Sequence, residues 1–288
     1  MESIRITALA VVAHLPHLAQ TAHPHGVVYY ALVAVVGLIV GTLTGLTGVG
    51  GGSLVTPLLV LMLGMTPTIA VGTDLLYSVP TKLLGASVHQ RQGTVNWRLV
   101  RYLTTGGVPA ALAGLVLLAY VQAHMGIAAV NAALKPSLGV TLLAVSAAII
   151  FKPLLARLIT PTASTPTEQW TPGAAGRVVT LGACVGFIVS LTSIGSGALT
   201  MPVLFFLVPH FGLRRLVGSD VAFSAILLPV AAAGFIHMGN VNVALAGSLL
   251  IGSLPGIVLG SKLVLRVPEA WIRPVLAVCV GIAGFKLV

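Results

Sequence analysis

Charge is what this sequence has least of. Its 288 residues include 15 Lys or Arg and 5 Asp or Glu, whereas a soluble domain is charged at about a quarter of its positions. With 57% hydrophobic residues, too little polar surface remains to coat a globule in water, and a soluble fold is excluded. Alternation of apolar and polar residues is missing too. A membrane β-barrel needs it, and continuous apolar runs of about 20 residues exclude that class. Cys184 and Cys279 are the two cysteines, both in apolar segments and without CxxC or metal-ligand spacing. No Walker A, HExxH or GxSxG pattern occurs, so nothing points to ATP hydrolysis or to an enzyme.

What is present is an all-α polytopic membrane protein. Gly and Pro, at 33 and 17 residues, lie inside apolar runs, which membrane helices tolerate because neighbouring helices re-satisfy freed backbone groups. The net charge of +10 belongs to membrane loops rather than to a nucleic-acid site, since no stretch is long and polar enough for a separate basic domain. Runs near span length fall at 27–47, 68–88, 99–121 and 131–151, then at 176–194, 217–236, 243–264 and 271–288. After the first run of each set comes a short apolar piece, 53–63 and 198–208, long enough for only about half a bilayer core. The expected organisation is an N-terminal segment at 1–26, a first transmembrane repeat at 27–152, a linker at 153–175 and a second repeat at 176–288. Residues 4–15 read as a signal-like segment or a surface helix.

The two sets are copies. GLTGVGGGSLVTP at 45–57 matches SLTSIGSGALTMP at 190–202, and Gly72-Thr73-Asp74 pairs with Gly218-Ser219-Asp220. Gly93 to Asn96 pairs with Gly239 to Asn242, and Gly106, Pro109 and Gly114 pair with Gly252, Pro255 and Gly260. Basic residues set the orientation. Arg91, Arg98 and Arg101, then Arg157 and Arg177, then Arg214 and Arg215 mark inside loops, while 122–130 and 237–242 contain no Lys or Arg. With the basic loops inside, 64–67 lies outside but 209–216 inside, so the halves run in opposite directions. Each inverted-topology repeat is expected to hold a Gly-rich broken helix or re-entrant hairpin followed by about three spans.

Two features carry candidate chemistry. The Gly-rich stretches read either as close helix packing or as breaks whose following half-helices present free N–H groups to an anion at the repeat interface. The candidate substrate residues are Thr47, Gly48, Gly50, Gly51, Gly52 and Ser53, with Thr192, Ser193, Gly195, Ser196 and Gly197 from the second copy. Asp74 and Asp220 are acids inside apolar segments and are repeat mates. They read as caps at a helix start or as carriers of a coupling ion, H+ or Na+. Lys82 lies on the Asp74 face of its helix, with Leu228 at the matching position of the second half; snorkelling to the inner surface is the simpler account. His89 and His237 read as interfacial loop residues. His14, His17, His23 and His25 cluster near the N-terminus without Cys or carboxylate companions, so no metal site and no cofactor are expected.

GLTGVGGGSLVTPLLVLMLGMTPTIAVGT, followed by a His-containing turn and GTVNW, resembles the TauE/SafE sulfite-exporter family of membrane permeases. With the second Gly-rich copy and its GSD, the resemblance extends over nearly the whole chain from about residue 27. It implies a bacterial inner-membrane carrier of small sulfur-containing anions such as sulfite or an organosulfonate. The family's Gly-rich stretches correspond to Gly48–Ser53 and Ser193–Gly197, where Ser193 and Ser196 replace glycines. The expectation is a secondary transporter working by alternating access as an exporter, with a small anion and the lipid bilayer as partners and a homo-oligomer as an option. The alternatives are a divalent-cation carrier using both aspartates and the N-terminal histidines, or a non-transporting assembly factor.

Overall fold

The computed structural model describes residues 26–47, 52–158, 173–195, 197–208, 211–263 and 269–288. The N-terminal segment with its four histidines, and most of the inter-repeat linker, lie outside the described residues. Every regular element among those described is a helix. In chain order they are α1 (Val27–Thr47), α2 (Gly52–Leu61), α3 (Pro67–Arg91) and α4 (Trp97–Leu158), then α5 (Ala174–Thr192), α6 (Thr200–Leu207), α7 (Gly212–His237), α8 (Val243–Leu263) and α9 (Glu269–Leu287).

The short pieces α2 and α6 have 10 and 8 residues, or about 15 and 12 Å at 1.5 Å per residue. Each covers about half of a bilayer core. α4, with 62 residues, would run about 93 Å if straight; Gly126 breaks it with a φ of 82°. The two limbs, 97–125 and 127–158, are each long enough to span and correspond to the expected runs at 99–121 and 131–151. Among the described residues, four helical stretches meet both length and apolarity for crossing a membrane: Trp97–Ile150, Ala174–Thr192, Arg214–His237 and Val243–Gly260. α3 is not among them, because it carries Asp74, Ser78 and Lys82 in its middle.

Large apolar side chains cover the outside as well as filling the core, unlike in a soluble protein. Val116, Ile251 and Phe285 are 68%, 73% and 79% exposed, while Thr56, Thr73, Asp74, Ser219, Asp220 and Ser253 are buried. So apolar an exterior is stable in lipid and not in water. The chain is a multi-pass membrane protein.

Small residues set the packing, as they do where helices associate in lipid. α1 packs along α8 and the first limb of α4 along α5. A β-carbon at Gly37 would overlap the Leu249 carbonyl, and one at Gly41 the Ser253 carbonyl; their mates Gly182 and Gly186 meet the carbonyls of Leu103 and Gly107. Gly252 meets Ala34, and its mate Gly106 meets Val179. Each half's first helix therefore packs on the fourth helix of the other half, α1 on α8 and α5 on α4, with matching residues at both contacts.

The repeated Gly-x-Val-Asn turns have a local explanation. Gly93 and Gly239 have φ of 66° and 72° and end α3 and α7 in paired bonds, Thr94 N–H to His89 O with Gly93 N–H to Gln90 O, and Asn240 N–H to Phe235 O with Gly239 N–H to Ile236 O. This is the Schellman arrangement. Asn96 then caps α4 by accepting from Arg98 and Leu99 N–H, and Asn242 caps α8 by accepting from Leu245 N–H. The cap residues also tie the halves together. Asn242 N–H donates to the Thr73 hydroxyl at 3.1 Å, and Asn96 N–H to the mate hydroxyl of Ser219 at 2.9 Å.

These contacts gather the loops into two groups. Thr68 bonds to Asn131, and Gln122 to Asn240 and Met238, which joins the start of α3 to the 122–131 and 237–242 turns. The 93–97 turn instead borders Arg214 and Arg215 at the start of α7.

Candidate functional site

α3 and α7 pack against each other and carry Asp74 and Asp220, which are 0% and 2% exposed. The cap reading is corrected here. α3 begins at Pro67 and α7 at Gly212, so neither aspartate sits in a first turn where free N–H groups await a cap. The apolar run at 68–88 began one residue inside α3, and the run at 217–236 began five residues inside α7, whose first turn carries Arg214 and Arg215.

The two carboxyl groups have different surroundings. Asp74 Oδ2 accepts from the Thr56 hydroxyl at 2.7 Å and Oδ1 from the Ser78 hydroxyl at 3.4 Å. Ser193 lies beside the same carboxyl group, though its hydroxyl makes no hydrogen bond of full geometry. Asp220 takes the Gly197 N–H and faces the Thr200 hydroxyl, and the charge that acts on it is Lys82. Its Oδ1 is buried without a hydrogen-bond partner, an expensive condition for a carboxylate oxygen.

The second Gly-rich stretch is a helix break. α5 ends where Ser193 turns to a φ of 58°, and Gly195 and Gly197 follow at 138° and 90°. Thr192 holds this turn: its hydroxyl bonds to the carbonyls of Ile188 and Ile194 and accepts the Ile194 N–H. α6 restarts with the Leu199 and Thr200 N–H groups on the Gly195 carbonyl. In the first copy α1 ends at Thr47 and α2 starts at Gly52; Gly48, Gly50, Gly51, Ser196 and the Thr47 side chain lie outside the described residues.

Both breaks reach one point. A β-carbon at Gly52 would stand 2.6 Å from the Ser193 carbonyl oxygen and 3.2 Å from Asp74 Oδ2. Gly52, Ser53, Ser78, Ser193, Gly195 and Lys82 line one cavity, closed by Ala198 and Leu228. Its volume is ≈ 10 Å³ to a water centre, room for about one water molecule. Lys82 is thus drawn inward to the cavity rather than out to the membrane surface. Position in the sequence assigned it to snorkelling; the only signal pointing inward was its spacing from Asp74 and Ser78. No cluster of three metal-ligating side chains is found among the described residues.

The arrangement is that of a membrane carrier: two broken helices, hydroxyls and one ammonium group converge on an occluded polar cavity. Comparison with known proteins agrees. The family model for the sulfite exporter TauE/SafE matches residues 33–287. The "probable membrane transporter protein YjnA" of Bacillus subtilis (strain 168) is 39% identical over 264 residues, covering 89% of this chain and 98% of that protein. The "probable membrane transporter protein YdhB" of the same organism is 26% identical over 261 residues, covering 89% and 99%. No solved structure matches. This chain is a membrane transporter, not an enzyme, and belongs to the TauE/SafE sulfite exporter family.

Proposed function

We propose that this transporter is a secondary carrier that exports a small sulfur-containing oxyanion, sulfite or an organosulfonate, across a bacterial inner membrane. The observation that carries the reading is the single cavity lined by Gly52 and Ser53 from one Gly-rich stretch and by Ser193 and Gly195 from the other. Half-helices starting at these breaks bring the positive ends of their dipoles near the cavity, an arrangement that favours an anion. The hydroxyls of Ser53 and Ser193, with Ser196 and Thr47 at the same breaks, replace part of the anion's hydration shell.

Alternating access follows from two inverted-topology repeats rocking about this point. The reciprocal contacts support that reading: Thr73 with Asn242 mirrors Ser219 with Asn96, and Gly252 on Ala34 mirrors Gly106 on Val179. A cavity of ≈ 10 Å³ is too small for an oxyanion, so substrate enters when one side opens. An aspartate of the central pair carries the coupling proton, with Na+ as the other candidate ion.

The test is flux from proteoliposomes loaded with sulfite, an organosulfonate or cobalt. Efflux of the sulfur oxyanions and not of cobalt is expected. Movement of cobalt alone would replace the reading with the divalent-cation carrier, and no movement of any of them would reject transport of this class.

A further inference from the structure

The cavity is built from repeat mates but its charge is not shared between them. Lys82 of α3 and Leu228 of α7 occupy equivalent positions, and both line it. One side therefore presents an ammonium group where the other presents an isobutyl group. The aspartates divide in the same way. Asp74 is surrounded by neutral donors, Thr56 and Ser78, whereas Asp220 lies in the field of Lys82 and keeps one buried oxygen, Oδ1, without a partner.

We propose that Lys82 is the counter-charge of the transported anion, and that Asp220, not Asp74, takes up one proton at Oδ1 for each anion bound. The inference rests on the central cavity being the anion site. Beside the empty cavity Lys82 and Asp220 stand as one positive and one negative charge, while the Asp74 carboxyl group is met separately by the Thr56 and Ser78 hydroxyls. An anion drawn to the ammonium adds a second negative charge beside a carboxylate. Enclosing that excess in a low-dielectric interior is strongly disfavoured. One proton from the water on the open side, added to Oδ1, restores the balance before the site closes. Electroneutrality within the cavity thus links anion to proton without contact between them.

Among the described residues, no charge other than that of Lys82 acts on Asp220. Among the described side chains, the other titratable groups on the helices packed against α7 are Asp74, Tyr77, His89 and Arg91 of α3, Arg98, Arg101, Tyr102, Tyr120, His124 and Lys135 of α4, and Arg177 and Cys184 of α5. None of them is among the groups acting on Asp220. α4 and α5 meet α7 at an apolar contact, where the Phe223 ring covers Gly107.

The experiment is titration calorimetry of the full chain in nanodiscs with methanesulfonate, whose sulfonate does not titrate near neutral pH. Two buffers of different ionisation enthalpy give the protons taken up per anion. The unaltered protein is expected to take up about one, by the charge balance above. Asp220→Asn should bind the anion with none, and Asp74→Asn should keep the uptake. Lys82→Gln should weaken binding about tenfold or more, and Lys82→Arg only slightly; Lys82→Met replaces the Gln variant if that fails to accumulate. Unchanged binding without the Lys82 charge, uptake persisting in Asp220→Asn, or uptake lost in Asp74→Asn would each overturn the proposal. Sulfate and chloride separate this from the substrate reading. If they bind through Lys82 while sulfite and methanesulfonate do not, the substrate class is wrong and the charge device stands. If none of the four anions binds, both are rejected.

Discussion

The Thr56 hydroxyl donates to Asp74 Oδ2 at 2.7 Å, fastening the half-helix α2 to the central helix α3. A buried carboxylate that loses such a donor keeps its desolvation cost without compensation. Thr56→Val is expected to destabilise the protein by about 1.5–3 kcal/mol, read as a lower unfolding midpoint in detergent, with trafficking to the membrane retained. An unchanged midpoint would mean that Asp74 finds another donor.

Transport should separate the aspartates. Asn resembles a protonated Asp in shape, so Asp220→Asn is expected to keep substrate counterflow and lose pH-driven accumulation. Asp74→Asn should keep both. Paired assays of counterflow and pH-driven uptake decide, and loss of accumulation in Asp74→Asn instead would move the coupling role across the repeat axis.

Glycines at the two breaks are expected to respond differently from glycines between helices. At Gly52 a side chain meets the Ser193 backbone, and at Gly195 the φ of 138° is one that side chains rarely adopt. Gly52→Leu and Gly195→Leu should abolish flux while the protein still accumulates, and Gly50→Leu should behave likewise. Quantifying protein by blot beside flux checks this; normal flux in all three would remove the breaks from the substrate site.

The inter-helix glycines should fail earlier. Gly252→Leu and Gly106→Leu force α8 off α1 and α4 off α5, an overpacking penalty of about 1–3 kcal/mol or more at each site. Low accumulation and a lowered unfolding midpoint are expected for both mates alike. Tolerance of one with failure of the other would show that the two interfaces are not equivalent.

Orientation is open to labelling. In a background lacking Cys184 and Cys279, a cysteine at position 240 is expected to react with an impermeant reagent from outside, and cysteines at 98 and 177 only from inside. The turns at 122–131 and 237–242 lie together, so position 124 should follow 240. Labelling of 240 from the cytoplasmic face alone would contradict inversion of the repeats.

Much of this fold was legible in the chain because its signals are local. Apolar runs mark spans by length alone, since hydrocarbon admits little else. The half-length of α2 and α6 was visible at 53–63 and 198–208 for the same reason. The Gly93 and Gly239 turns repeat because a left-handed stop and an Asn cap are set by a few neighbouring residues. The start of α3 was legible to within one residue, but that of α7 was placed at 217 instead of 212, because its first turn carries Arg214 and Arg215 and interrupts the apolar run.

Tertiary structure alone decided which residues meet. Sequence showed that Gly106 and Gly252 are mates, but not that each packs on the first helix of the opposite half. It showed Lys82 on the face of Asp74, but only the packing of α3 against α7 brings its ammonium group to the cavity and its charge to Asp220. Periodicity describes one helix at a time, and a charge deep in a membrane finds its counter-charge through the packing of several.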